Sequence, residues 1–393
     1  MKGYKHYYQH FLNANPQELH FAAHSHHFWP DVTRAAQLQA WDDAARFNDR
    51  KWEHLFSEVI PKVQKQIAHI LNLKSPEMIA LAPNTHDLLV RLFSELLLRP
   101  NLSVLTTDSE FHSFSRQLHR WEEAHTHLSV TRVKTQTLLQ NREEFIAQLQ
   151  TQIPQHQVVF LSQVFFNSGL ALTQEELLRL INAAPKETVI IIDGYHGFAA
   201  LPLDLSSVEG RIFYLGGGYK YAQGGEGVGF MVVPSGAWRP VITGWFAEYA
   251  KLSSPRAGEV GFSNDGMAFW GATLDPSGWY RFNATWDLFQ EIDLSVEKIH
   301  QHIVNLQSVF LDNYQASPSA LDGLTPLFQH PLPLHGHFLT FESKDTNEAS
   351  LQREKWLKNG VYVDQRGARL RFGFGLYHDR TDIPELFRRL SLR

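Results

Sequence analysis

The 393-residue sequence contains no cysteine, and this absence excludes disulfide bonds and metal sites built from thiolates. No run approaches the ~18 apolar residues that a membrane-spanning helix needs, and the first residues lack the apolar core of a signal peptide. An excess of basic residues is missing too, because the formal net charge is -5. The charge therefore gives no indication of binding to nucleic acid or to an anionic membrane surface. We expect a cytoplasmic protein that binds neither.

The composition that remains is typical of a soluble globular protein, with 43% hydrophobic and 20% charged residues. Apolar strand patterns alternate with helical ones through the middle of the chain, which predicts an α/β protein with a mainly parallel sheet covered on both faces. We divide the chain into an aromatic N-terminal arm (1–30), a large domain (31–265) and a small α+β domain (266–393). We also expect Asp31 to cap a helix and a single long helix to cover Asp287–Tyr314.

An acid and a lysine each follow an apolar strand near the middle of the chain. Asp193 ends the run Val189–Ile192, and Lys220 follows a second apolar run and several glycines. Ligands of open α/β sheets bind at such strand ends. A lysine in a tight, partly desolvated pocket becomes an amine nucleophile, and an acid beside a pyridine nitrogen keeps that ring protonated. Pyridoxal phosphate requires this pair, whereas the alternative is a solvated loop lysine and a helix-capping aspartate. The spacing of the glycines excludes a P-loop.

Three short motifs surround this pair: Asp-Gly-Tyr-His at 193–196, Gly-Tyr-Lys-Tyr-Ala-Gln-Gly-Gly at 218–225, and Gly-Trp-Phe at 244–246. They resemble the class V aminotransferase family of fold-type-I pyridoxal phosphate enzymes, and within that family kynureninase. The resemblance implies a large domain with a mixed, mostly parallel, seven-stranded sheet and a small C-terminal α+β domain. It also implies pyridoxal 5'-phosphate as the cofactor. Lys220 and Asp193 would be catalytic, and His196 would orient Asp193 or the ring hydroxyl.

The resemblance implies further contacts to the cofactor. Asn84 and Thr85 lie in a turn before an apolar helix, and because helix N-termini bind anions, we predict that they hold the phosphate. Phe111 would stack on the ring. The other predicted cofactor residues are Ser168 beside the ring, Tyr219 at the phosphate, and Trp245 at the phosphate of the neighbouring subunit. The role of Trp245 implies a homodimer with the active site at the subunit interface.

The resemblance implies an amino acid substrate, whose carboxylate the planar fork of an arginine can bind through two hydrogen bonds. The alternative is that the three arginines within residues 366–371 form a solvated face. The resemblance assigns Arg371 to the substrate carboxylate, Arg366 to a supporting role, and Ser25 to a loop that reaches the site. Ser25 lies in the segment His-Ser-His-His at 24–27, which is the best metal candidate in the chain. We predict no metal there, because adjacent histidines do not share one face of a regular element and no further ligand lies at suitable spacing.

The resemblance favours hydrolysis of L-kynurenine or 3-hydroxykynurenine to an anthranilate and alanine. The substrate side departs from kynureninase, because Ala247 and Glu248 stand where it has Gly-His and its substrate-binding asparagine is not evident. An aminotransferase would use the same residues, and a non-catalytic protein that binds a ligand or a metal is the alternative from another class. Cysteine desulfurase activity in its usual form is excluded, because it needs a cysteine nucleophile.

Overall fold

A computed structural model of the chain describes residues 3–251, 258–329 and 331–392. Residues 1–2 of the predicted arm, 252–257 of the predicted large domain, and 330 and 393 of the predicted small domain lie outside the described residues. The strands are β1 (Leu19–Phe21), β2 (Ile79–Ala82), β3 (Ser103–Thr107), β4 (Ser129–Val133), β5 (Val158–Ser162), β6 (Val189–Asp193), β7 (Ile212–Gly217), β8 (Gly229–Val232), β9 (Thr325–Pro326), β10 (Phe338–Glu342), β11 (Val361–Arg366) and β12 (Arg369–Gly373).

Helices and strands alternate through the middle of the chain, and the three longest helices lie outside this stretch. The α-helices are α1 (Gln9–Ala14), α2 (Val32–Phe47), α3 (Lys51–His54), α4 (Ile60–Leu71), α5 (Thr85–Leu96), α6 (His112–Ala124), α7 (Gln136–Gln140), α8 (Arg142–Gln152), α9 (Gln174–Ala183), α10 (Ser277–Glu291), α11 (Val296–Ala316), α12 (Thr346–Lys358) and α13 (Asp382–Leu390). A π-helical stretch, Leu55–Val59, joins α3 to α4. Within the described ranges, no helix combines the length and the apolarity needed to cross a membrane.

The larger sheet has seven strands in the described residues, in the order β2-β8-β7-β6-β5-β3-β4. The strands from β3 to β7 pair in parallel, and β8 runs antiparallel to both of its neighbours. β5 is buried along its whole length, and so is β6 up to its last residue. Their near-continuous runs of valine, isoleucine and leucine suit a sheet that is covered on both faces. The predicted α/β fold with a mixed, mostly parallel sheet is confirmed.

The carboxyl ends of the central strands meet at one edge of this sheet. Ser162 at the end of β5 pairs with Asp193 at the end of β6, and Asp193 pairs in turn with Leu215 on β7. The antiparallel strand β8 begins at this edge with Gly229, where a Cβ atom would lie 2.4 Å from the backbone carbonyl carbon of Asn84. Only glycine therefore lets the turn before α5 approach the same edge.

The smaller sheet has the order β1-β11-β12-β10-β9. Its first strand comes from the N-terminal arm, because β1 pairs in parallel with β11 and Leu19 lies opposite Val361. A second hydrophobic core, which includes Phe310, Trp356 and Phe372, packs against this sheet. The arm is thus joined by a strand to the C-terminal part of the chain. The boundaries predicted for the two domains stay a prediction.

The single helix predicted over Asp287–Tyr314 is wrong, because α10 and α11 are separate helices. Between them, Asp293 has a φ of 54°, a left-handed conformation that interrupts helical hydrogen bonding. Ser295 then begins the second helix, because its side chain accepts a hydrogen bond from the backbone N–H of Lys298. The hydrophobic pattern continues across this break, so the pattern alone did not reveal it.

The prediction that Asp31 caps its own helix is also wrong. Asp31 has helical φ and ψ of -56° and -27°, and its side chain makes no capping bond to α2. Its carboxylate instead accepts hydrogen bonds from the backbone N–H groups of Gln9 and His10, at 3.0 and 2.9 Å. Asp31 therefore caps α1, which comes from a distant part of the arm.

Candidate active site

A cavity of about 420 Å³ lies at the carboxyl edge of the larger sheet, where the smaller sheet faces it. All the predicted site residues except Ser168 and Trp245 line this cavity. They are Ser25, Asn84, Thr85, Phe111, Asp193, His196, Tyr219, Lys220, Arg366 and Arg371. The remaining wall is mostly apolar and includes Phe114, Phe160 and Phe166. The volume lies in the range of small-molecule sites.

Lys220 follows β7 and is buried, with 8% of its surface exposed. Its Nζ atom hydrogen-bonds Nε2 of His196 and lies 5.6 Å from the ring centres of both Phe111 and Tyr195. Burial, followed by the charge of Arg371, lowers the pKa of Lys220 to about 7, and Asp193 opposes the shift. At neutral pH, a large fraction of this lysine is therefore the free amine, which is the nucleophilic form.

The turn after Lys220 is held by the N-terminal arm. Gln223 has a left-handed φ of 59°, and its backbone N–H donates to the carbonyl of Lys220 at 3.0 Å. The buried hydroxyl of Tyr8 donates to Oε1 of Gln223 at 2.5 Å. Because a left-handed glutamine is uncommon, this contact from the arm helps to stabilise the turn that carries the lysine.

Asp193 and His196 line the same cavity as the lysine amine. The backbone N–H of Tyr195 donates to Oδ1 of Asp193 at 2.9 Å. Burial raises the pKa of Asp193, while the Tyr195 hydrogen bond and the charge of Lys220 oppose the rise. Burial and the charges of Lys220 and Arg371 hold the pKa of His196 well below its usual range. His196 is therefore neutral, and its Nε2 accepts a hydrogen bond from the lysine.

The N-terminus of α5 forms a second wall of the cavity. Asn84 caps this helix, because its side chain accepts a hydrogen bond from the backbone N–H of Asp87 at 2.9 Å. Thr85 is the first residue of the helix and lines the cavity. Backbone N–H groups in the first turn of a helix are free to bind an anion, and the helix dipole favours negative charge there.

Asp364, which has no role in the sequence-based prediction, holds both predicted arginines. Arg371 donates to its Oδ2 through Nε, at 2.7 Å, and through Nη2, and Nη1 of Arg366 lies 3.0 Å from its Oδ1. Nη1 of Arg371 also donates to the carbonyl of Phe166. Burial would raise the pKa of Asp364, but His24 and the two arginines lower it below its usual value. The pair Asp-x-Arg at 364–366 was the signal available in the sequence.

The three histidines of the segment 24–27 point toward different neighbours. His24 is fully buried, stacks on Phe338 with ring centres 4.5 Å apart, and places Nε2 3.7 Å from Oδ2 of Asp364. The ring of His27 donates to the carbonyl of Phe28 at 2.6 Å. His26 contacts the edge of the Tyr219 ring. In the described residues, no group of three or more histidine, aspartate or glutamate side chains is arranged to hold a metal ion.

Ser168 and Trp245 lie outside the cavity. The Ser168 hydroxyl accepts a hydrogen bond from the backbone N–H of Leu170 at 3.3 Å and so stabilises the turn at Gly169, whose φ is 83°. Trp245 is 40% exposed and packs on Phe246 with ring centres 4.1 Å apart. The cofactor roles predicted for these two residues stay predictions.

No protein-family model and no curated protein sequence matches the chain. Solved structures do match it. A variant of C-DES with glycine covalently linked to the PLP cofactor has a TM-score of 0.82 at 18% identity, over 97% of this chain and 98% of that chain. The cystine C–S lyase C-DES in complex with cysteine persulfide has a TM-score of 0.81 at 19% identity, over 96% and 98%. A cysteine desulfurase from Thermococcus onnurineus has a TM-score of 0.77 at 14% identity, over 99% and 97%.

These similarities extend over nearly the whole chain and establish the fold. The chain has the fold-type-I architecture of these pyridoxal phosphate proteins, as the motifs predicted. At such low identity, fold similarity carries no activity with it. The nearer resemblance to kynureninase stays a prediction.

Proposed function

We propose that the chain is a pyridoxal phosphate-dependent enzyme that acts on an α-amino acid. The observation that carries this proposal is Lys220, a buried amine with a pKa lowered to about 7, which shares one cavity with Asp193 and a helix N-terminus. One structure with this fold holds a covalently linked PLP cofactor and another holds the product cysteine persulfide, and these support the proposal.

The residues present fit this cofactor. The Tyr195 hydrogen bond uses one oxygen of Asp193, and the other oxygen would accept a hydrogen bond from a protonated ring nitrogen. The free N–H groups at the start of α5, together with the Thr85 hydroxyl, would hold the phosphate. Phe111 would cover the ring, because its own ring centre lies 5.6 Å from the lysine amine. When bound, the cofactor supplies an electron sink for bonds at the amino acid Cα.

The side chains would divide the remaining work. Lys220 would attach the cofactor. Once an amino acid substrate has displaced the lysine from the cofactor, the free lysine would move a proton at the Cα atom of the substrate. Nε2 of neutral His196 would accept a hydrogen bond from the lysine and so hold its amine in place. Arg366 and Arg371 would bind the substrate carboxylate, with Asp364 fixing both guanidinium groups. The surrounding phenylalanines would exclude water from the reacting atoms.

Our finer proposal is kynureninase-like hydrolysis of L-kynurenine or 3-hydroxykynurenine. Phe111 and Phe166 meet edge to face with ring centres 5.5 Å apart, a surface suited to an aromatic side chain. A class V aminotransferase would use the same groups and remains the alternative. Cleavage of a C–S bond in a cystine-like substrate is a further candidate, because a cystine C–S lyase has this fold. A desulfurase of the usual kind would need a cysteine, and the sequence has none.

A product assay on cofactor-loaded protein separates these reactions. The protein is given kynurenine or 3-hydroxykynurenine, with and without pyruvate, and in parallel cystine, with Lys220→Ala as the control. Anthranilate released without pyruvate supports the hydrolase, turnover only with pyruvate supports the aminotransferase, and pyruvate formed from cystine supports the lyase. If the protein neither binds the cofactor nor turns over any of these compounds, the enzyme proposal fails and the non-catalytic alternative stands.

We also propose that two chains form a dimer in which Trp245 reaches the neighbouring site. The exposed position of Trp245, outside its own cavity, supports this. Neither Lys220→Ala nor Trp245→Ala should turn over substrate at the normal rate. A mixed dimer of the two should regain activity, because one of its sites has both side chains intact.

Trp41→Ala, which changes another exposed tryptophan, is the control for this mixing experiment. Sedimentation velocity checks that every variant remains a dimer. If the mixture of stable dimers regains no activity, the shared site is excluded.

A further inference from the structure

Glu110 is a buried carboxyl group that the proposed function does not use. It lies in the turn between β3 and α6, is 3% exposed, and immediately precedes Phe111. Its Oε1 accepts a hydrogen bond from the Thr107 hydroxyl at 2.6 Å, and its Oε2 lies 2.5 Å from Oγ of Ser162. Its backbone carbonyl accepts from the Ser115 hydroxyl at 3.0 Å. Glu110 therefore ties the Phe111 turn to the end of β5.

The same contact joins Glu110 to the centre of the site. Ser162 lines the cavity and lies opposite Asp193 in the parallel pairing of β5 and β6. Two carboxyl groups thus lie at the same end of the sheet, and Glu110 is buried there while Asp193 lines the cavity. Like charges placed there are unfavourable, so one of the two holds a proton.

The surroundings decide which carboxyl holds the proton. Asp193 has the cation of Lys220 nearby and a backbone N–H donor, both of which favour its charged form. Burial, the largest cause, raises the pKa of Glu110 to about 8, although hydrogen bonds from the Ser162 and Thr107 side chains and from the Ser162 backbone lower it. The proton therefore belongs to Glu110 at neutral pH, and the negative charge belongs to Asp193.

The groups that face Glu110 from the surrounding elements support this assignment. β6 contributes Asp193, which raises the pKa of Glu110 further, and β5 contributes the neutral Ser162. On its own turn, Asp108 is directed to Thr135. On α6, the His112 ring packs against Phe166.

We propose that Glu110 is a positioning residue that acts as a neutral acid. A protonated carboxyl donates its hydrogen to Ser162, and this turns the hydroxyl hydrogen of Ser162 toward the cavity while Phe111 is held over the lysine. Ionised Glu110 would accept from Ser162 instead, and would place a second negative charge beside Asp193. The positioning role rests on the proposed function, whereas the protonation state does not.

The protonation state is tested on the full chain without added cofactor. Glu110→Gln keeps the size of the side chain and stays neutral at every pH. Between about pH 4.5 and 8, Glu110 is protonated in the folded chain and ionised in the unfolded chain. The wild type therefore loses stability as the pH rises through this interval. The melting temperature of Glu110→Gln minus that of the wild type should therefore increase by on the order of 1–2 °C for each pH unit. This difference should become constant above pH 8.

Glu176→Gln is the matched control, because Glu176 is a buried glutamate whose carboxylate binds the guanidinium of Arg142 at 2.6 Å. It should melt below the wild type throughout this range. If the difference in melting temperature between Glu110→Gln and the wild type is flat or falls with pH, the neutral state is wrong.

Should Glu110→Gln fail to fold, Ser162→Ala replaces it. The Ser162 hydroxyl stabilises the charged form of Glu110, so its removal should raise the pH up to which the protein loses stability. An unchanged pH dependence refutes the proposal.

The positioning role is tested with pyridoxal phosphate bound, by the pH dependence of its affinity and visible absorbance. We expect Glu110→Gln to bind it within about threefold of the wild type at pH 7, because the amide donates to Ser162 as the acid does. The wild type should weaken above pH 8 and the variant should not. Glu110→Ala should lose affinity tenfold or more at both pH values. If Glu110→Gln behaves like Glu110→Ala, a charged carboxylate is needed and the proposal fails.

Discussion

Protonated Lys220 and Arg371 would place two positive charges in one buried cavity. The repulsion between them lowers the pKa of Lys220 and so favours its neutral amine form. Burial is the larger cause of the lowered pKa of Lys220, and Arg371 is the next. Asp364 raises the pKa of Lys220, but by less than Arg371 lowers it, and Arg366 lowers it as well. The arginines therefore have two roles, because the same guanidinium groups that would bind the substrate carboxylate also lower the proton affinity of Lys220.

Replacement of Arg371 should shift the reactivity of Lys220 to higher pH. In Arg371→Gln, the cation is lost and Asp364 is less neutralised, so the pKa of Lys220 should rise by roughly 1 unit or more. The rate at which the protein attaches pyridoxal phosphate, measured from pH 6 to 10, reports this pKa. Arg369→Gln, which removes a guanidinium bound to Glu342, is the control and should leave the profile unchanged. An unshifted profile in Arg371→Gln would rule out the electrostatic role.

Single residues also show where sequence patterns stop being informative. Asp193 and Lys220 could be found because each follows an apolar strand in the sequence. Glu110 could not be assigned, because its partner Ser162 is distant in the chain, and the Asp-x-Arg pair at 364–366 did not show that Asp364 also binds Arg371 on the next strand. Ser168 could be recognised as part of a turn, but no local pattern showed that its hydroxyl accepts a hydrogen bond from the backbone N–H of Leu170.

At the scale of elements, the N-terminal arm is the least expected part. Its aromatic composition predicted an irregular segment, yet β1 joins the smaller sheet and Tyr8 reaches the turn after the lysine. The pairing of a three-residue strand with β11 depends on a partner more than 300 residues away, so no local pattern predicts it. The central strands were easier, because a run such as Val189–Ile192 suits only a buried position.

Loss of the Tyr8 hydroxyl should weaken the lysine turn without changing the core. Tyr8→Phe leaves Oε1 of Gln223 buried and without its donor, which should cost about 1–3 kcal/mol of unfolding free energy. Denaturant unfolding measures this cost. Tyr362→Phe is the control, because the Tyr362 side chain is 37% exposed and should tolerate the change. Equal stability of the two variants would mean that the arm does not brace the turn.

The helix errors have the same physical origin. Asp31 and Asp293 both carry side chains suited to helix ends, but the Asp31 side chain binds the start of α1 and Asp293 takes a left-handed conformation between α10 and α11. Asp31 caps a helix that lies before it in the chain, and Asp293 interrupts a hydrophobic pattern that continues on both sides. Local propensity explains why aspartate occurs near helix ends, but the tertiary structure decides which hydrogen bonds each aspartate makes.

At the scale of the whole molecule, buried neutral histidines surround the junction of the arm, the smaller sheet and the site. Burial lowers the pKa of each of them below its usual value. They are His24, His27, His196, His335, His337 and His378. His378 shows why protonation is unfavourable, because one ring nitrogen bonds the carbonyl of His20 and the other accepts from the N–H of Gly375.

We therefore expect a steep loss of stability in mild acid. The folded pKa values lie below the unfolded value of ~6.5, so the unfolded chain binds more protons once the pH falls below 6.5. The stability is present above this pH and is lost below it, by about 1.4 kcal/mol per pH unit for each histidine that is charged only when unfolded. Melting curves from pH 5 to 8 should show this loss.

His378→Gln should flatten the acid dependence, and His69→Gln, at an exposed position, should not. A stability that is constant from pH 7 down to pH 5 would show that these histidines are not held neutral in the fold.

The attachment site of the cofactor tests the central claim most directly. The protein is incubated with pyridoxal phosphate, reduced with borohydride and digested, and the modified peptide is identified by mass spectrometry. We predict a single major modification at Lys220, absent from Lys220→Ala and retained in the exposed-lysine variant Lys186→Ala. Modification that falls on other lysines, or that persists at the same level in Lys220→Ala, would contradict the account.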